Sequence, residues 1–108
     1  MVFVLTRPEV RDALIAAQAR GVAVRVLVSS RFAGEPVIAD LIAAGVPVRQ
    51  TTVHAKVLVV DGERVLTGSA NWSAGAWANN ETALFIDDLG LASSFEADVD
   101  RTWTSASP

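Results

Sequence analysis

The stretch His54-Ala-Lys-Val-Leu-Val-Val-Asp-Gly-Glu-Arg-Val-Leu-Thr-Gly-Ser-Ala-Asn71 decides how this chain is read. Ala55 to Val60 is an apolar run rich in β-branched residues, which predicts a strand buried on both faces inside a sheet covered by helices. Asp61-Gly62 supplies a hairpin turn, and Arg64 to Thr67 returns as the next strand. Residues two apart on a strand share a face, so His54 and Lys56, the only histidine and the only lysine in the chain, emerge side by side at its start. One anionic group can touch both. Gly68-Ser69-Ala70-Asn71 leaves the paired strand at that same end, and its small residues let a ligand approach the backbone.

Upstream of this hairpin, strands and helices alternate. Val2 to Leu5 reads as a buried strand. Thr6 and Glu9 stand at capping-box spacing and Pro8 fits a first turn, so a helix runs to Arg20 and stops at Gly21. Val22 to Val28 is a second strand, Glu35 to Ala44 a second helix ended by Gly45, and Val46 to Thr51 a third strand. Downstream, Thr82 to Ile86 is a sixth strand. Leu91, Phe95, Val99 and Trp103 then fall four residues apart, the apolar stripe of a closing helix packed on the sheet, which gives Trp103 no substrate role. Asp87-Asp88 reads as a pair of cap residues before that helix. Ser105 to Pro108 reads as a frayed polar end. The expected architecture is α/β, a mixed β-sheet flanked by helices, in one domain over residues 1-108.

Composition narrows the classes of function. Of 108 residues 51% are apolar and 19% charged, which excludes a chain disordered by composition. No apolar run approaches the roughly 20 residues that cross a bilayer, and Met1 to Val10 resembles no secretory leader, so the expectation is a soluble chain with the cytoplasm as default. Without cysteine there is no disulfide, thiolate nucleophile or thiolate metal site. Eight of the nine basic residues but only six of the twelve acidic ones lie in residues 1 to 64, so the remainder is acidic. A nucleic-acid binder usually shows a basic footprint, because neutralising phosphates supplies most of its affinity. The arginines at 7, 11, 20, 25, 31 and 49 could gather into one only through folding.

His54, Lys56, Asp61, Gly68, Ser69 and Asn71 resemble the HxKxxxxDxxxxxxGSxN signature of the phospholipase D (HKD) superfamily in both residue type and spacing. Trp72-Ser73 resembles the family's aromatic and small hydroxyl pair, and Asn80-Glu81 its downstream Asn-Glu. The resemblance implies a phosphodiester hydrolase with a phospholipase D/nuclease-like fold, extending here from Val2 to Trp103. It implies that His54 attacks phosphorus and forms a phosphohistidine, a role suited to a neutral imidazole. Lys56 and Asn71, with Ser69 beside them, would hold the phosphate oxygens, supplying the charge that other phosphodiesterases draw from metal ions. No cofactor or metal is then expected, and one histidine with dispersed carboxylates makes a poor metal cage. Glu81 would accept a hydrogen bond from the other ring nitrogen of His54 and fix its tautomer. For Asp61 a supporting catalytic role stands beside a plain turn role. Trp72 and Trp77 could line a substrate groove, meet another subunit or pack in the core.

The family's mechanism uses two motifs, one histidine as nucleophile and one as general acid. This sequence carries one. The resemblance therefore implies a homodimer whose two motifs meet, or a C-terminal half of a two-motif enzyme. Family domains normally begin with a further strand and helix before the strand at Val2, so a truncated domain is also expected, with an uncovered sheet edge or apolar face. The substrate is a phospholipid or another phosphodiester, with DNA or RNA cleavage as the alternative. An inactive fragment that serves only in assembly is the remaining reading.

Overall fold

The computed structural model describes residues 1, 5–73 and 80–108. Helix α1 (Pro8–Ala19) leads to strand β1 (Val26–Ser29), a single 3-10 turn (Ser30–Phe32), helix α2 (Pro36–Ala43) and strand β2 (Val48–Thr51). Strands β3 (Val57–Val60), β4 (Arg64–Gly68) and β5 (Ala83–Asp87) follow, and helix α3 (Leu89–Ser105) closes the chain. The described strands form two sheets, a parallel β1-β2 pair and an antiparallel sheet in the order β3-β4-β5. The α/β architecture with helices flanking mixed strand pairings is as the sequence predicts.

Around β1 and β2 the first core gathers Leu5, Val26, Val28, Ile38, Leu41 and Val46, all buried. Both helices that cover it start at a proline in the first turn, where a missing N–H costs nothing. Gly21 and Gly45 follow them at φ 91° and 85°, a left-handed conformation that a side chain resists. Arg11 binds α1 to α2 through its ion pair with Asp40 at 2.7 Å. A second, smaller core lies under α3, where Val57 and Val65 of the antiparallel sheet meet Ala92, with Phe95 and Val59 at its edge.

Several local expectations are corrected. Arg7, not Thr6, is the N-cap of α1, and no side chain caps it; Glu9 instead pairs with Arg7 at 3.2 Å. The second strand is shorter than Val22 to Val28, because Val22 is 45% exposed and only Val26 onward pairs with β2. In α3 the residue that buries fully is Ala92; Leu91 is exposed and Trp103 half-buried. Trp103 lies between two guanidiniums, Arg25 at 5.4 Å and Arg49 at 4.7 Å from the ring centroid. These are cation–π contacts, so this end of the stripe is amphipathic surface and not core. The terminal residues are not frayed: Ser105 completes α3, and Ser107 exchanges backbone hydrogen bonds with Gln50 at 2.6 and 3.0 Å. Of the expected first strand only Leu5 belongs to the described residues, where it bridges in parallel to Trp72; Val2 to Val4 lie outside them, as does Trp77.

The correction that matters for function concerns β3. Its register with β4 places Val57 and Val59 on one face and Leu58 and Val60 on the other. Helix α3 covers the first face. The second face opens on a cleft whose opposite wall is α1.

Candidate active site at the head of β3

Lys56 sits one residue before β3 and is only 7% exposed. A buried ammonium is tolerated only where polar partners meet it. Its Nζ stands 2.8 Å from His54 Nδ1 and 3.4 Å from Nε2. An ammonium has only hydrogens to give, so the ring nitrogen that meets it accepts. Thr67 of β4 donates its hydroxyl to the Lys56 carbonyl at 3.0 Å, which fastens this residue to the hairpin. Imidazole and ammonium do come together as the sequence reading expects, but ahead of the strand rather than on it, since β3 begins at Val57, and His54 is exposed while Lys56 is inside.

The other end of the motif is held by backbone geometry. Gly68 ends β4, and a Cβ there would lie 2.7 Å from Ala83 Cα and closer still to the Thr82 carbonyl oxygen. Only glycine allows β5 to approach this near. Ser69 then donates its N–H to Thr82 O at 2.8 Å, and its hydroxyl accepts the Thr82 N–H at 2.9 Å. Its side chain thus spends itself on fixing the strand that follows Glu81, and it is not among the residues that line the cleft. Asn71 does line it, as do Lys56 and Glu81. The Trp72 carbonyl accepts N–H groups from Thr6 and Arg7 at 3.0 and 3.2 Å, and its ring packs against the first core while also lining the cleft.

Two expected members of the site stand differently. Among the described residues no hydrogen bond joins Glu81 to His54; Glu81 is exposed at the cleft that Lys56 enters. Asp61 lies at the far end of β3, with the four strand residues Val57–Val60 between it and Lys56. There Asp61 and Gly62 take φ 57° and 65°, and Glu63 N–H closes the turn on Val60 O at 3.0 Å. Positive φ at both central residues is the mirror-image turn that suits a tight hairpin. Of the expected cap pair Asp87-Asp88, only Asp88 caps α3, accepting the Leu91 N–H at 2.8 Å; Asp87 is the last residue of β5.

The cleft itself escaped sequence reasoning. It holds about 720 Å³ between Val10, Ala13 and Leu14 of α1 and Leu58 and Leu66 of the sheet. The signal was present in β3, apolar on both faces, but the sequence does not say what faces it. Among the described residues no three histidine or carboxylate side chains gather as metal ligands. No described helix is long and apolar enough to cross a membrane.

Residues 1–103 match the family model described as cardiolipin synthase, PLD-like domain. The chain belongs to the phospholipase D superfamily. A mitochondrial cardiolipin hydrolase of Xenopus laevis is 35% identical over 99% of this chain and 54% of its own length. A phospholipase D of Rickettsia conorii is 37% identical over 80% of this chain and 46% of its own. The chain thus spans about half the length of the curated relatives it matches. Among solved structures, the phospholipase D family member Nuc of Salmonella typhimurium superposes with a TM-score of 0.88 at 32% identity, covering 98% of this chain and 76% of Nuc. In this phospholipase D-like domain, Lys56, Gly68 and Asn71 of the signature line the cleft at one end of the β3-β4 hairpin, His54 stands beside Lys56, and Asp61 lies in the turn at the other end.

Proposed function

We propose that the chain is a phosphodiester hydrolase of the phospholipase D type, acting on a phospholipid or another phosphodiester through a phosphohistidine and without a metal. The observation that carries this reading is the buried Lys56 ammonium 2.8 Å from the His54 ring at the mouth of a cleft that Asn71 also lines. Phosphate fits this arrangement. Its non-bridging oxygens take hydrogen bonds from Lys56 and Asn71, and as Lys56 turns its protons to them the ring lone pair of His54 is released for attack. The P–N bond forms as the P–O bond to the leaving group breaks, and the leaving oxygen takes a proton from an acid. Water, deprotonated by that same acid in its conjugate form, then displaces the histidine from phosphorus.

One motif supplies the nucleophile and not the acid. A homodimer, with the histidine of a second copy as that acid, completes the chemistry, and a two-fold axis brings two identical motifs face to face. Glu81, at the same cleft, would accept the remaining ring N–H of His54 once substrate is in place. Asp61 is assigned to the turn and Ser69 to strand pairing, so phosphate binding rests on Lys56 and Asn71.

The test is single-turnover chemistry. With a chromogenic diester in EDTA, a burst of leaving group and an acid-labile phosphoenzyme are expected, and His54→Ala should lose both. A folded dimer with neither would refute the reading. Nucleic-acid cleavage is the competing activity: plasmid nicking that exceeds choline release from phosphatidylcholine, and falls steeply with salt, would select it.

A further inference from the structure

Lys56 must hold its ammonium in place, yet it stands outside the strand that follows it. The ladder of β3 with β4 ends at the pair Val57 and Thr67. At Val57 the backbone turns away from β4: its N–H donates to Met1 O and its C=O accepts the Met1 amine, each at 2.7 Å. Only alternate residues of an antiparallel strand exchange ladder bonds with a given neighbour, so Val57 does not tie the head of β3 to β4 in this way. One residue further, a side chain supplies the link. Thr67 Oγ1 donates to the Lys56 carbonyl oxygen at 3.0 Å across the hairpin. Thr67 also lines the cleft. Its one hydroxyl hydrogen is spent on Lys56, however, so only lone pairs are left to face a ligand there. An ionised phosphodiester has acceptor oxygens and no hydrogen to offer them, so Thr67 is a poor direct contact and a good anchor for the residue beside it.

We propose that Thr67 is a positioning residue of this site: its hydroxyl fixes the Lys56 main chain, and through it the point at which the ammonium meets phosphate. This rests on the phosphodiesterase reading above and adds a residue that acts through Lys56 and not on the substrate. Thr67→Val keeps the branched shape that suits a strand and removes only the hydroxyl, whereas Thr67→Ser keeps the hydroxyl. With bis(p-nitrophenyl) phosphate and the full chain, Thr67→Val should lower kcat/KM about 10- to 100-fold, the loss that a displacement of about 1 Å brings. Thr67→Ser should recover most of it. In a Lys56→Met background the same valine change should cost less than about twofold, because the group it positions is gone. Calorimetric titration with inorganic phosphate reads the site without turnover, and Thr67→Val should weaken that binding about five- to tenfold. If the diester is not hydrolysed while phosphate binding still weakens, the catalytic reading falls and the positioning role stands. If hydrolysis proceeds and Thr67→Val matches wild type, the positioning role falls and catalysis stands. An equal loss from Thr67→Val in both backgrounds would overturn the proposal by making Thr67 a contact in its own right. A loss that Thr67→Ser shares, together with a lower urea midpoint, would overturn it by making Thr67 a scaffold residue.

Discussion

At the scale of single residues, the site is held by two features with opposite consequences for stability. Burying an ammonium costs desolvation, which a methionine of similar length would not incur in the space that Lys56 fills. Lys56→Met is therefore expected to fold at least as stably as wild type by urea denaturation, while kcat/KM on a chromogenic diester falls by about 10²-fold or more. A matched loss of stability and activity would mean that Lys56 is a structural residue. Gly68 behaves in the opposite way. The Cβ of Gly68→Ala would meet Ala83 Cα at 2.7 Å and press on the Thr82 carbonyl, so strain of about 1–3 kcal/mol should appear as a lower urea midpoint. Because those backbone atoms adjoin Glu81, activity should fall with it.

At the scale of elements, the start of the chain is tied to β3. The Met1 amine donates to Val57 O at 2.7 Å while Val57 N–H donates to Met1 O at 2.7 Å. In a chain whose first residue is Met1, burial lowers that amine's pKa from 8.0 to about 5. Between those values the unfolded chain binds a proton that the folded one does not, so stability should rise with pH across this window, by at most about 1.4 kcal/mol per unit. This contribution is complete above pH 8 and is lost as pH falls to 5. Chemical denaturation of free and Nα-acetylated chain across pH 5 to 8 should show the extra slope only in the free chain.

Elements were legible where the signal was local. Pro8 starts a helix and Gly21 and Gly45 stop helices because φ is decided at the residue itself. The hairpin was legible for the same reason, through Asp61 and Gly62. What escaped was set by distant partners. Val22 stays outside the sheet because β2 begins opposite Val26, and Ser107 is held by Gln50 from about half the chain away. Within the site, the nearness of His54 to Lys56 was legible from their two-residue spacing although both precede β3, yet the use of Ser69 was not, because its partner Thr82 arrives only when β5 docks.

At the scale of the whole molecule, the chain carries one copy of the His54 to Asn71 signature and an exposed apolar sheet edge. Strand β5 has no second neighbour among the described strands, and Leu84 and Phe85 on it are 57% and 68% exposed. Such an edge is a surface for assembly or aggregation unless something pairs with it. If catalysis needs the histidines of two copies, activity depends on the pairing of competent chains and not merely on their number. Mixing wild type with His54→Ala separates the two cases. After exchange of subunits at a one-to-three ratio, random pairing leaves each wild-type chain a wild-type partner about one time in four, so activity per wild-type chain should fall to about a quarter. A chain that acts alone would keep full activity at every ratio. Sedimentation of the same mixtures, showing dimers of unchanged abundance, would assign the loss to the missing histidine rather than to failed assembly.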